Sequence, residues 1–279
     1  MCEECLVFTQ RSQLSTVRHS RAYGHFSYIY PVISRRSRGL SIGVNLSLDN
    51  RCNYNCIYCE VDRSAPAAAA QVDPEALGQE LYQMLSDLSP HSPALRDVTF
   101  AGNGEPMAVR CLDHCIDLAA DTLDALGFAD IPVVVITNGT FIHRPWGKRA
   151  LARLAAAGGE VWIKLDAGDQ ERMTRINSTL FPLEKLEENI FDASRVLPVT
   201  LQSMFMKRWG QPPSDEAVDR YIGCLNRLTE AGAVIAGVQV YTVARQPRLS
   251  HITALDAPAL EAIVSRIRTE TGLPAASFA

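Results

Sequence analysis

The chain has 279 residues, 47% of them hydrophobic, and a formal net charge of −4. That is ample for one large α/β domain and argues against several small ones. No apolar run approaches the roughly 18 residues of a membrane-spanning helix, and no signal-peptide core opens the chain.

The net charge hides an asymmetry. Between Cys5 and Leu48 there is no acidic residue, while Arg11, Arg18, Arg21, Arg35, Arg36 and Arg38 interleave with Tyr23, Phe26, Tyr28 and Tyr30. Arginines with aromatics suit phosphates and stacked bases. The alternatives are a solvated entry segment whose aromatics cover one end of the core, or an organelle transit peptide. The expected organisation is an Arg/aromatic-rich extension over 1–38, a core domain over 39–272 and a tail over 273–279.

In chain order, 41–48 reads as a strand, followed by a cysteine-rich loop and a low-complexity linker at 64–70. Asp73 and Pro74 start an amphipathic helix over 74–88, with Leu77, Leu81, Leu85 and Leu88 along one face. Further strands are expected at 97–101, 132–137, 160–165, 198–204 and 235–242. Helices are expected at about 111–126, 147–157 and 183–195, from Ser214 to near Gly232, and from Asp256 onward. Unbroken β-α succession implies a parallel sheet with helices outside. The apolar strands lack clean alternation, as strands buried on both faces do.

In such sheets ligands bind beyond the carboxyl ends of the strands. The unusual residues lie there: Cys52, Cys56 and Cys59; Gly102, Asn103, Gly104, Glu105 and Pro106; Asn138; Asp166; Gln202; Tyr241, Thr242 and Arg245.

Eight cysteines in a chain this long are not a disulfide scaffold; clustered thiols point to metal or redox chemistry and a reducing cytoplasm. Cys52-x3-Cys56-x2-Cys59 offers three soft ligands from one short loop. An iron–sulfur cluster normally takes four cysteines, so a triplet leaves one iron open to an external molecule. A zinc site would need a fourth ligand, from Cys2, Cys5, Cys111, Cys115 or a histidine. Cys115 reads as core, and a four-thiol second site would have to join Cys2 and Cys5 to Cys111 and Cys115. No Gly-x4-Gly-Lys-Ser/Thr phosphate loop occurs.

The triplet, with Tyr58 before its last cysteine, resembles the signature of the radical S-adenosylmethionine (SAM) superfamily, and Gly102–Pro106 resembles its glycine-rich motif. From about Tyr28 to Arg245 the chain is similar to the group of wyosine-forming tRNA enzymes and their uncharacterised bacterial relatives. The phrases VNLSLDNRCNYNCIYCEVDR, FAGNGEP, ITNGT, KLDAGD and VQVYTVAR carry that similarity.

The resemblance implies a partial (β/α)6 barrel with parallel strands inside and helices outside. It implies a [4Fe–4S] cluster on Cys52, Cys56 and Cys59, with SAM on the fourth iron. Reductive cleavage of SAM would give a 5′-deoxyadenosyl radical that abstracts a substrate hydrogen. It places Tyr58 near the adenine, and Gly102, Asn103 and Gly104 along SAM's ammonium, with Glu105 as acceptor or anchor. Asn138 would meet ribose or carboxylate, and Gln202 the polar end of SAM. Lys164 and Asp166 would bind carboxylate and ribose, or pair with each other; Val238 and Val240 would line the adenine pocket or sit in the core. A donor such as flavodoxin or ferredoxin would supply electrons. The expected substrate is RNA, a nucleoside or another anionic molecule. The alternatives are a peptide or small metabolite, or a non-catalytic iron–sulfur or zinc module.

Overall fold

The structure is a computed structural model that describes residues 21, 23–64, 71–88 and 94–279. Its strands are β1 (Ile29–Ser34), β2 (Gly39–Val44), β3 (Leu95–Phe100), β4 (Val133–Thr137), β5 (Glu160–Lys164), β6 (Val199–Met204), β7 (Met206–Arg208), β8 (Ile235–Tyr241), β9 (Ile252–Ala254) and β10 (Ala275–Phe278). Its α-helices are α1 (Pro74–Ser86), α2 (Leu112–Ala125), α3 (Pro145–Ala156), α4 (Gln170–Asn177), α5 (Leu183–Ser194), α6 (Asp215–Glu230) and α7 (Ala257–Thr271).

Eight strands form one curled sheet in the order β1-β2-β3-β4-β5-β6-β8-β10, a half-barrel with the helices around it. Only β1 runs antiparallel to its neighbour, β2. β7 and β9 make a separate antiparallel ribbon. The β-α succession expected from the sequence is present, and the helix starts have their physical causes. Asp73 accepts from the backbone N–H groups of Glu75 and Ala76 with Pro74 in the first turn, Ser214 caps α6, and Asp256 caps α7.

Four elements were not expected. β1 extends the sheet from the N-terminal stretch, burying Ile29 and Tyr30. β10, in the presumed tail, pairs parallel with β8. α4 opens on Asp169, whose carboxylate accepts from the Arg172 N–H at 2.8 Å. The β7/β9 ribbon is too short for a periodic signal. The first core strand also ends earlier than the expected 41–48. Asn45 leaves the strand because its Oδ1 accepts from the N–H groups of Ser47 and Asn103.

The expectation of strands apolar on both faces needs correction. Leu40, Ile42 and Val44, Val98 and Phe100, Val161 and Ile163, and Val199 and Leu201 pack outward into the main core. The intervening Ser41 and Gly43, Thr99, Trp162 and Lys164, and Gln202 and Met204 line a cavity inside the curl. Successive strand side chains point to opposite faces, so one face builds the core and the other a polar interior.

Candidate active site

The cavity has a volume of about 270 Å³ and runs from the loop after β2 to the β1–β2 turn. Cys52, Cys56 and Cys59 all line it as free, partly buried thiols. Each sulfur lies near an N–H donor. The Tyr54 N–H is 3.5 Å from the Cys52 Sγ, Asn177 Nδ2 is 3.4 Å from the Cys56 Sγ, and an Arg63 guanidinium nitrogen is 3.5 Å from the Cys59 Sγ. Burial raises the thiols of Cys52 and Cys56, the latter to about 11, so a ligated metal would have to displace their protons. Among the described residues, no group of three or more His, Cys, Asp or Glu side chains is placed to share a single metal ion.

Three sets of contacts fix the cysteine loop. Asn53 accepts from Asn138 Nδ2 at 2.8 Å and donates to Thr140 Oγ1 at 2.8 Å, tying the loop to the end of β4. The Asn55 and Ile57 N–H groups donate to the carbonyls of Asn177 and Ile176, docking the loop on the end of α4. The Arg63 guanidinium donates to the carbonyls of Asn50 at 2.6 Å and Asn103 at 3.0 Å, linking the loop to the glycine-rich turn.

That turn is pressed against the loop. A Cβ on Gly102 would lie 2.4 Å from Asn45 Oδ1, and one on Gly104 would lie 2.1 Å from the Arg51 carbonyl and 2.3 Å from Ser47 Oγ. These glycines are required because another backbone lies on them. Gly104→Ala is expected to lower stability by about 2–3 kcal/mol through overpacking, read by urea unfolding. A loss below about 0.5 kcal/mol would show that the loop yields freely.

Glu105 is an anchor. Its carboxylate accepts from the Met107 N–H at 2.9 Å, Thr137 Oγ1 at 2.6 Å and the Asn138 N–H at 2.7 Å, joining the glycine turn to the end of β4. Burial pushes its carboxyl up to about 7, against the three hydrogen bonds that favour the ionised form.

Lys164 and Asp166 do not pair directly; the Tyr58 hydroxyl stands between them. Tyr58 donates to Asp166 Oδ2 at 2.5 Å, while Lys164 Nζ donates to the hydroxyls of Tyr58 at 3.2 Å and Tyr241 at 2.8 Å. Asp166 also accepts from Asn177 Nδ2 at 2.7 Å and the Met204 N–H at 2.9 Å. It is 5% exposed and is not part of the cavity lining, which corrects the expectation of a ribose contact. Against burial, which works the other way, Tyr241, Asp166 and Cys56 hold the Lys164 ammonium charged and move it above the usual lysine range.

Of the other expected residues, Gln202 lines the cavity and donates to Gln239 Oε1 at 2.8 Å. Asn103 lines it too, donating to Asn50 Oδ1 at 2.7 Å and accepting from Arg21 at 3.0 Å. Val240 takes the second of its two expected places. It is fully buried in the main core, as is Val238, because the inward position beside it belongs to Tyr241. Cys111 and Cys115 are likewise absent from the cavity wall, Cys115 being fully buried, while Cys2 and Cys5 lie outside the described residues.

The N-terminal arginines also depart from expectation. Arg11 and Arg18 lie outside the described residues. Arg21 and Arg36 line the cavity, and Arg35 donates to the carbonyls of Thr242 and Phe278. Phe26 and Tyr28 are buried in the main core, whereas Tyr30, equally buried, lines the cavity. Sequence reasoning passed over Asn53, Arg63 and Asn177 as site residues. Only the first two carry a local signal, lying within the cysteine segment.

A family model described as the Radical SAM superfamily matches residues 46–210. A protein of Brachyspira hyodysenteriae described as GTPase Obg is 28% identical over 142 residues, 51% of this chain but 19% of that relative. A UPF0026 protein of Helicobacter pylori is 25% identical over 224 residues, 79% of this chain and 68% of the relative. A GTP 3′,8-cyclase of Rhodococcus opacus is 27% identical over 165 residues, 58% of this chain and 42% of the relative. Thus the chain spans between a fifth and two thirds of these relatives. Among solved structures, a radical SAM methyltransferase from Sphaerobacter thermophilus superposes with a TM-score of 0.64 at 12% identity, covering 97% of this chain and 79% of that one. TYW1 with a lysine-pyruvate adduct gives 0.51 at 17% identity, covering 82% and 73%. These likenesses are of fold.

Proposed function

The chain belongs to the radical SAM superfamily, and we propose that Cys52, Cys56 and Cys59 hold a [4Fe–4S] cluster at which SAM is cleaved. The observation that carries this reading is three free thiols on one cavity wall, each with an N–H donor beside its sulfur. The donor set fits: thiolates are the soft ligands such clusters take, each binds its own iron, and they need not converge on one point. Hydrogen bonds to ligating sulfur also tune the cluster's potential. A single structural zinc would need four convergent ligands. When bound, the reduced cluster supplies the electron that breaks a carbon–sulfur bond of SAM, giving a 5′-deoxyadenosyl radical for hydrogen abstraction.

The chain's own residues bind and position. Gly102, Asn103 and Gly104 present a close backbone edge beside the cysteines for the polar end of SAM, and Gln202 offers its amide oxygen to it, while Asn138, both ends of its amide engaged by Asn53 and Thr140, holds the wall in place. The charged Lys164 ammonium faces the same cavity and suits a carboxylate. Tyr58 gives an aromatic wall next to the cluster loop. Glu105 and Asp166 act through others, fixing the glycine turn and the cysteine loop. A flavodoxin- or ferredoxin-type donor supplies the electron.

The proposed substrate is a nucleoside, free or within RNA. The relative named as a GTP 3′,8-cyclase supports it. Of the described N-terminal arginines, Arg21, Arg35 and Arg36 turn inward and Arg38 alone is exposed, on the β1–β2 turn. Two measurements test the proposal. Anaerobically reconstituted protein with dithionite and SAM should release 5′-deoxyadenosine; a loaded cluster with no cleavage in the presence of cell extract would favour a binding module. Modified nucleosides from cells with and without the gene should differ, and identical profiles would remove the nucleoside reading.

A further inference from the structure

Five cationic side chains line the cavity: Arg21, Arg36, Arg63, Lys164 and Arg245. Four of them have polar partners. Arg21 meets Asn103 Oδ1 at 3.0 Å, and Arg245 meets the Glu60 carboxylate at 2.7 Å. Arg63 donates to two backbone carbonyls, and Lys164 to two phenol oxygens.

Arg36 is different. It sits on the turn between β1 and β2, and its side chain enters the cavity. Its guanidinium carbon is 5.9 Å from the ring centre of Trp162 and 5.2 Å from that of Tyr241. Its Nε is sealed from solvent without a hydrogen-bond partner, and no carboxylate among the described residues lies within ion-pair distance of the group. Asp97, which acts on it through space, receives the hydroxyls of Ser41 and Thr99 on one carboxylate oxygen and makes no ion pair with it.

A guanidinium keeps its proton in essentially any protein setting. Placing it in a cavity without an anion disfavours its charge, and the two aromatic faces offset this only in part. Burial works against its charge in the free protein. The edge of a planar guanidinium accepts a carboxylate or phosphate in two parallel hydrogen bonds. The residues between Arg36 and the cysteine loop fix which end of the cavity is meant. Tyr58 adjoins Cys59, Lys164 bridges Tyr58 to Tyr241, and Arg36 lies over the Tyr241 ring. Lys164 is therefore the cation nearer the cysteines and Arg36 the farther one.

We propose that Arg36, its guanidinium set beside the Trp162 and Tyr241 rings, is the receptor for an anionic group of the substrate, a carboxylate or phosphate oxyanion met at the edge of the guanidinium. This rests on the radical SAM reading, for it makes Arg36 the handle that orients the substrate toward the cysteine end. It narrows the substrate class to molecules carrying such a group within reach of the reacting carbon. A nucleotide meets this through its phosphate, and a nucleoside without an acidic substituent does not.

The test uses the full chain, with calorimetric titration and thermal melting at constant ionic strength. The probes are inorganic phosphate and acetate. One of them should bind the wild-type protein and raise its Tm. Phosphate alone would indicate a phosphate ester, and acetate alone a carboxylic acid. Arg36→Met should weaken that binding at least tenfold, while Arg36→Lys, which keeps the charge without the planar fork, should retain part of it. In anion-free buffer Arg36→Met should melt at or above the wild-type temperature, because an unpaired charge has been removed. A purely structural arginine would give the reverse, a lower Tm with no change in anion affinity. The inference is overturned if neither anion binds the wild type, or if Arg36→Met binds equally well. SAM cleavage by the wild-type protein is followed in parallel. Its absence would overturn the radical reading alone, because anion binding at Arg36 is read without cluster or SAM.

Discussion

Cys56→Ala should lower 5′-deoxyadenosine release from SAM by at least about 100-fold, since removing even an outer-shell partner of a metal site typically costs 10–100-fold. Cys56 is held at both its sulfur and its carbonyl. Its sulfur receives Asn177 Nδ2 at 3.4 Å, and its carbonyl accepts from the Cys59 N–H at 2.9 Å, closing the turn that presents the next thiol. Iron bound after reconstitution and the visible absorption of the cluster should fall together with activity. Cys111→Ala is the matching control. It too removes a partly buried thiol, but one at the start of α2 and outside the cavity wall, so cleavage should be unchanged. If Cys56→Ala keeps its cluster and its activity, the assignment of the triplet is wrong. If both variants lose activity alike, the effect is one of folding, which circular dichroism would reveal.

How much of this was legible in the sequence follows from what each signal depends on. The cysteine triplet, Asp73-Pro74 and the glycine-rich turn are local patterns, and each lies where its pattern places it. The β-α order was readable because strands and helices alternate without interruption. The inward and outward faces were not. A curled sheet with a polar interior places Ser41, Thr99 and Gln202 opposite a wall of valines and leucines, and in short strands one polar residue barely alters an apolar run. That parity decides between the two places open to Val240 in favour of the core. The roles of Glu105 and Asp166 were hidden for another reason. Whether a buried carboxylate meets a ligand or a backbone N–H depends on residues 30 or more positions away, such as Asn138 for Glu105 and Met204 for Asp166. Arginines 35 and 36 suggested a phosphate-binding surface from composition alone, and their inward direction follows from the β1–β2 hairpin, which carried no turn signal strong enough to predict it.

Asp166 is where the fold and the site meet, and Asp166→Ala should lower the free energy of unfolding by about 3–5 kcal/mol. The carboxylate accepts three hydrogen bonds: from the Tyr58 hydroxyl in the cysteine loop, from Asn177 at the end of α4, and from the Met204 N–H at the end of β6. Alanine leaves those donors without their acceptor in a site that is 5% exposed, and each buried donor left unsatisfied costs about 1–3 kcal/mol. Asp166→Asn should cost less, because one amide oxygen still accepts while the new NH2 faces donors. Urea unfolding of the apo protein reads both without any cofactor. A ribose ligand would behave differently. Its removal would weaken SAM binding while leaving apo stability within about 1 kcal/mol of wild type, the range of an ordinary substitution. A large stability loss should instead be accompanied by poorer iron loading, because Asn177, released from Asp166, is also the donor beside the Cys56 sulfur. Asp166 thus couples the order of the cysteine loop to the packing of α4 and β6, and the site can be only as well formed as the strand ends that hold it.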